Sequence, residues 1–590
     1  MRTGSPHGLQ PWRVDEVGGM VVEWDRGIRM DDGLVLRADV FRPAALGRYP
    51  VILSHGPYAK GLPFPVGYPF QWQRLSAEHS EVLRGSTGRY QNWEVADPEK
   101  WVPDGYVCVR VDSRGAGRSP GFLDPFSLRE THDFFLCIEW AGEAPWSSGK
   151  VGLLGVSYFA INQWHVASLR PPHLAAMCPW EGAADWYRDM ARHGGIASVF
   201  WPNWMRKQVI TVQHGVGDRG PRDPNTGQPV AGPETLGDDD LAANRADLRR
   251  AFLSHPLDDR YYQDRSPVWS RVTVPFLSAA NWGGQGLHPR GNFEGFMRAA
   301  STDKWLEVHG LEHWTHFYTD YGLALQKRFF DHYLKGVDNG WERQPRVLLQ
   351  VRHVDRFVPR TEADWPIPRT QWTRFYLDAA AMALSTRARS EAAAIAYGAL
   401  GEGVTFATAP LDQETEITGP AALTVFASST TTDADLFVVL RVFAPDGREV
   451  DFQGALDPHT PIGNGWLRGS HRRLDPRLST EWRPYHRHDR AEPLVPGETY
   501  ELNVEIWPTS LVVPPGHRIA LTILGKDFER PGPSLDMPTF ANPLRGSGPF
   551  LHNDAEDRPA ETFGGRITLH TGGAYASYLL LPLIPADAGP

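Results

Sequence analysis

A serine at the junction of a strand-like and a helix-like run is the first feature of this chain that could carry covalent chemistry. In KVGLLGVSYFA (150–160) an apolar run leads into Ser157 and a helical pattern follows. A sharp strand-to-helix turn lifts a serine Oγ clear of the sheet and sets it at a helix N-terminus, whose free N–H groups favour a developing oxyanion. Gly155 fits such a turn, where a side chain would crowd the backbone, but the residue two after the serine is Phe159 and not glycine. The competing reading of Ser157 is a simple helix N-cap. A base must come later in the chain, and KWLEVHGLEHWTH (304–316) ends an apolar strand in a glycine turn that presents His313, with His309 at the strand end and His316 as competitors. Serine activated by histidine is the chemistry of acyl transfer, with a covalent acyl intermediate.

The elements that would hold these residues are legible. Alternation around Asp31-Asp32-Gly33 signals a hairpin near the N-terminus. Compact apolar runs at 49–53, 106–111, 151–154, 174–178 and 274–277 suit strands buried on both faces, and helical patterns between them predict a parallel sheet of α/β class. From Trp186 to Asp264 the alternation gives way to Trp-containing, Gly/Pro/Asp-rich helical sequence that reads as an inserted cap. After Gly336 short alternating segments (VLLQVRHV, ALTVFAS, LFVVLRVFA, YELNVEIWP, RIALTILG, YLLLPLI) predict an all-β sandwich. The expected organisation is an α/β core over 1–185 and 265–344, a helical cap over 186–264 and a β-sandwich over 345–590.

The run DSRGAGRSPG (112–121), then Asp133, Trp140, Pro145-Trp146, Gly149-Lys150 and the segment ending in Ser157-Tyr158, resembles the cocaine esterase / X-Pro dipeptidyl-peptidase (CocE/NonD) family. That family's elbow reads G-x-S-Y-x-G, and Ala160 stands here for the last glycine. The resemblance spans nearly the whole chain and implies an α/β-hydrolase core with a helical cap and a C-terminal jelly-roll domain. It also implies His313 as base and the Tyr58 hydroxyl as an oxyanion donor beside the Tyr158 N–H. One member of the pattern is missing. Where the family carries its aspartate, this chain reads Asn281-Trp282-Gly283-Gly284. A catalytic histidine needs a carboxylate to fix its tautomer. Glu181, just after the preceding strand, is the expected substitute, with Asp185 (also a helix N-cap), Glu294, Glu312 or an acid-free dyad as alternatives.

Composition narrows the partners. The chain has 590 residues, a formal net charge of −10, 41% hydrophobic and 22% charged residues. That is ordinary globular chemistry with no basic stripe for nucleic acid. No apolar run is long enough to span a membrane, the N-terminus shows no export pattern, and a cytoplasmic location is expected. Cys108, Cys137 and Cys178 read as small buried hydrophobes. The glycine-rich run 115–121 lacks the ending of a phosphate loop, and His471, His486 and His488 have no zinc spacing, so neither cofactor nor metal is expected. Among 22 tryptophans, Trp180, Trp282 and Trp314, with Phe159, are expected to wall a substrate pocket. The expected substrate is a small-molecule carboxylic ester or amide with an apolar or aromatic acyl group. The alternatives are an X-Pro dipeptidyl aminopeptidase or amino-acid ester hydrolase, and a non-catalytic scaffold. A homo-oligomer is compatible with all of this.

Overall fold

The computed structural model describes residues 9–586. Its central sheet has eleven strands: β1 (Arg13–Val17), β2 (Met20–Arg29), β3 (Val35–Pro43), β4 (Tyr49–Gly56), β5 (Val107–Asp112), β6 (Ser147–Val156), β7 (Leu174–Trp180), β8 (Phe276–Asn281), β9 (Lys304–His309), β10 (Val347–Arg352) and β11 (Phe357–Glu362). Their order is β1-β2-β3-β5-β4-β6-β7-β8-β9-β10-β11. From β5 to β10 every pairing is parallel, and antiparallel strands close both edges. A two-residue side-chain period explains the continuous apolar runs. In β4, Val51 and Leu53 enter the core on one face while Ile52 enters the core on the other. Helices α1 (Leu128–Glu143), α2 (Tyr158–Ala167), α3 (Pro289–Arg298) and α4 (Asp320–Lys335) join the central strands and cover these faces.

The stretch 186–264 is a set of short helices, including Trp186–Ala191, Phe200–Trp204 and Leu248–Ser254, with one small hairpin over 192–197. The segment VLLQVRHV, which its alternation places in the sandwich, instead supplies β10. It pairs in parallel with β9 through Leu306 and Val347. Alternation identifies a strand but does not say which sheet it joins.

The C-terminal domain consists of strands, but its hydrogen bonds do not trace the expected jelly-roll sandwich. Strands β12 (Gln371–Asp378), β13 (Ala383–Ser385), β14 (Val404–Ala407), β15 (Thr415–Ser429), β16 (Asp435–Phe443), β17 (Gly463–Arg468), β18 (Tyr500–Val513), β19 (Arg518–Leu524) and β20 (Tyr578–Ile584) form a closed circuit in the order β15-β18-β17-β16-β19-β14-β13-β12-β20 and back to β15. The circuit is therefore a nine-stranded barrel. Closure depends on β15, whose fifteen residues are long enough to pair with both β18 and β20 and whose register breaks between Gly419 and Ala421. A bulge there bends the strand and lets one segment serve both sides. Among the described residues no helix is long and apolar enough to cross a membrane, and the three cysteines are buried and unbridged.

Candidate active site

Ser157 sits between β6 and α2 with φ 56° and ψ −116°. A non-glycine residue at positive φ is strained, and strain at a strand-to-helix turn is typical of residues held for function. The turn is pinned from both sides. The Ser157 N–H donates to the Trp180 carbonyl at the end of β7, and the Ser157 carbonyl accepts from the Ala160 and Ile161 N–H groups of α2. The serine side chain caps no N–H of α2, which removes the N-cap reading. Phe159 is accommodated by absences elsewhere: a Cβ on Gly155 would lie 2.3 Å from the Phe159 Cβ, and one on Gly56 would lie 2.5 Å from its ring.

The Ser157 Oγ meets an imidazole, and it is that of His288, with Oγ and Nε2 3.0 Å apart. Sequence reasoning missed this residue, because His288 lies between β8 and α3, on the loop where the family's pattern calls for an acid. His313 does not contact Ser157 through a hydrogen bond. Its Nδ1 lies 2.8 Å from Glu181 Oε2 and its Nε2 lies 2.8 Å from Glu94 Oε1. The two histidine rings stack, with centroids 4.8 Å apart and planes 18° from parallel.

Glu181 has an enclosed carboxylate. Oε2 faces His313, while Oε1 faces His309 Nε2 at 3.1 Å and accepts from Asn281 Nδ2 at 3.1 Å. Burial opposes its charge, but His313 and His309 outweigh it and hold the pKa well below the usual carboxylate range. Of the alternatives, Asp185 caps the helix at Trp186 by accepting from the Tyr187 and Arg188 N–H groups. Glu294 is tied to Arg298 and Arg483, and Glu312 to Thr315 and Arg74. None of these three reaches His313 through a hydrogen bond or ion pair. His309 bridges Glu181 and Glu307. Burial opposes charge on both His309 and His313, but their carboxylates prevail and push them up to about 9 and about 10. His316 is half-buried against His309 and is held down at about 3, first by desolvation and then by the neighbouring histidines.

Glu94 is a second residue that sequence reasoning missed. It lies in the segment between β4 and β5 at φ 63°, and its carbonyl accepts from the Val156 N–H directly before the nucleophile. Burial raises its pKa to about 7 despite the contact with His313. Gly284 stands where the family's aspartate is expected, and the barrel packs against its neighbour Gly283. A Cβ on Gly283 would lie 2.5 Å from the Gly454 Cα of the barrel. In the adjoining residue the Ala455 N–H donates to the Gly283 carbonyl, and the Ala455 carbonyl accepts from the His313 N–H. Barrel backbone thus bonds both the loop that lacks the family's acid and the loop that carries His313.

On the oxyanion side, Tyr158 begins α2, where first-turn N–H groups have no partner within the helix. Its ring is anchored away from the site, with the hydroxyl donating to Glu130 at 2.7 Å. The Tyr58 hydroxyl accepts from the Trp204 Nε1–H of the cap at 3.0 Å, which leaves its own proton free to donate. Tyr58 and Phe159 border a narrow cleft whose other walls are apolar (Leu62, Trp93, Val95) and charged (Lys60, Arg110, Asp112). The other residues expected to wall a pocket lie elsewhere. Trp180 stacks on His309 behind the site, Trp282 packs with Phe293 and Trp365 and donates to the Gln350 carbonyl, and Trp314 is a fully buried neighbour of Trp93. These three are core residues, where tryptophan most often buries its area. The ligand atoms of Glu181, His288 and His313 lie within 4.8 Å of one another, a spacing that could hold a metal ion, but hydrogen bonds within the protein already engage all three side chains.

Comparison with known proteins bears on the family and the fold. The X-Pro dipeptidyl-peptidase (S15 family) description matches residues 32–318, and the X-Pro dipeptidyl-peptidase C-terminal non-catalytic domain matches residues 339–580. A CocE/NonD family hydrolase from Staphylococcus aureus is 33% identical, with a TM-score of 0.80 over 96% of this chain and 94% of that one. The cocaine esterase of Rhodococcus sp. (strain MB1 Bresler) is 26% identical over 94% of this chain and 97% of its own length. An aminopeptidase from a marine sediment Thaumarchaeota archaeon, 17% identical over 98% of both chains with a TM-score of 0.63, shares the fold.

Proposed function

Because the chain belongs to the CocE/NonD family of serine hydrolases, we propose that it cleaves a small carboxylic ester or amide with an apolar acyl group through an acyl-enzyme on Ser157. The observation that carries this reading is the strained Ser157, hydrogen-bonded to an imidazole and backed by a carboxylate-bound histidine pair. Ser157 Oγ attacks the carbonyl carbon as its proton passes to the imidazole cluster. The oxyanion is held by the Tyr158 N–H and the Tyr58 hydroxyl, and water then releases the acid.

The preference for an apolar acyl group rests on the aromatic and aliphatic side chains gathered around Phe159, namely Tyr58, Leu62, Trp93 and Val95. An aminopeptidase or amino-acid ester hydrolase needs a carboxylate to receive the substrate ammonium. Glu94 and Glu181 are both taken by His313, and Asp112, which lines the cleft beside Phe159, accepts from the Lys60 and Arg118 N–H groups. The acidic run 238–240 lies on the cap, where Asp238 pairs with Arg219 in solvent. The test is a panel of p-nitrophenyl esters, anilides and dipeptidyl anilides, together with fluorophosphonate labelling. Turnover of apolar esters, lost along with the label in Ser157→Ala, is the expected result. Activity retained in that variant, or a strict requirement for a free α-amino group, would overturn the reading.

A further inference from the structure

We propose that His288 takes the proton of Ser157, and that the Glu94, His313 and Glu181 chain stands behind it as charged support and not as the proton acceptor. This rests on Ser157 being the nucleophile. Three observations carry it. First, His288 is the imidazole in hydrogen-bond contact with the nucleophile, at 3.0 Å, and a general base must reach the proton it removes. Second, His313 has no nitrogen free for Ser157, because carboxylates hold both, each at 2.8 Å. Third, His288 is built to stay neutral in the resting enzyme. It is buried, it lies face to face with the protonated His313, and it occupies the N-cap of the ten-residue α3, the positive end of a helix dipole. Burial and His313 both hold its pKa well below the usual histidine range.

A base that stays neutral at rest must still be helped once it is protonated. Glu181 balances the charge of His313 and Glu94 adds negative charge as it ionises, and the stacked rings bring this carboxylate pair close to the arriving proton. The loop that carries His288 is held rigidly. The Leu287 and His288 N–H groups both donate to the Gly284 carbonyl, and Pro289 starts the helix directly afterwards.

The proton balance closes on one atom. As the bond from Ser157 Oγ to the carbonyl carbon forms, the hydroxyl proton moves to His288 Nε2 and the carbonyl π pair moves to oxygen. Collapse breaks the bond to the leaving group, which departs with the proton from Nε2. Water then adds to the acyl carbon, giving a proton to Nε2, and Ser157 Oγ regains that proton as the acid leaves.

The experiment compares full-length His288→Ala, His288→Gln and His313→Ala for fluorophosphonate labelling and ester turnover, with and without added imidazole. Both His288 variants should lose about 10³-fold or more, and imidazole should restore His288→Ala by at least tenfold while leaving His313→Ala unchanged. The glutamine variant keeps a polar side chain of similar reach and guards against misfolding of the alanine variant. The proposal is overturned if either His288 variant stays within tenfold of the parent, or if imidazole rescues His313→Ala but not His288→Ala. Failure of the parent enzyme to take the label would instead sink the hydrolase reading itself.

Discussion

Replacing Glu94 with glutamine should make the protein less sensitive to rising pH. Glu94 is buried, and burial raises its pKa from an ordinary 4.5 to about 7. A carboxyl whose folded pKa lies above its unfolded one binds more protons in the native state. Its contribution to stability is complete below about 4.5 and is lost as pH rises through about 7. A rise of that size corresponds to about 3 kcal/mol at most. Glutamine can still accept from His313 Nε2 through its amide oxygen, so the contact is kept and only the titration removed. Most of the effect falls below pH 6.5, where the linkage of His313 itself has not begun. Urea unfolding followed by tryptophan fluorescence between pH 4.5 and 7 should show a smaller decline for Glu94→Gln than for the parent. The two differ by about 2 to 3 kcal/mol across the range. Parallel profiles would refute a buried, reluctantly ionised Glu94.

Glu181→Gln places an amide NH₂ against a site built from N–H donors. Turnover should fall about 10⁴-fold and stability by about 3–5 kcal/mol, both measured on the soluble variant by ester hydrolysis and urea denaturation. Tyr58→Phe removes the free hydroxyl proton and should lower kcat about 10²- to 10³-fold with little change in KM. Trp204→Phe, which removes the N–H that the Tyr58 hydroxyl accepts along with part of the ring packed on Tyr158, should cost less than tenfold. Gly283→Asp, one residue before the position of the family's acid, should not rescue Glu181→Gln, because its Cβ meets Gly454. It should instead destabilise the protein by about 1–3 kcal/mol through overpacking, and recovered turnover in the double variant would contradict the crowding at that position.

How much of the site is readable from sequence follows from the range of each interaction. Ser157 is legible because an elbow is local: one apolar strand, one glycine and one helix start within a dozen residues. The pairing of Glu181 with His313 can be reasoned from strand order, since β7, β8 and β9 are neighbours and place their end loops side by side. His288 and Glu94 are not legible. Each lies in an irregular segment, and neither type nor spacing distinguishes it from a surface residue until the fold closes. The tryptophans mislead for a related reason. Trp180 and Trp282 do lie in segments bordering the site, but the direction of a side chain at a strand end is fixed by packing partners, Phe317 and His309 for one and Phe293 and Trp365 for the other.

The barrel is the element whose role sequence could least supply, and the site depends on it. Ser157, Glu94, Glu181 and Leu311 all have positive φ without being glycine, a conformation costing of order 1–3 kcal/mol each that persists only where surrounding structure enforces it. Part of that enforcement comes from the core: the Trp180 carbonyl holds Ser157, the Ala279 carbonyl holds the Glu181 N–H, and Asn281 Nδ2 bonds the Leu311 carbonyl. The rest crosses the domain boundary. Ala455 bonds both Gly283 and His313, Gln285 donates to the Pro508 carbonyl, and Glu294 and Arg290 pair with Arg483 and Glu505. The loops that carry His288 and His313 are thus each braced by a barrel backbone segment. The barrel segment is a second wall of the histidine cluster: it bonds the His313 N–H through the Ala455 carbonyl, while Glu181 holds the Nδ1 of the same residue from the core side.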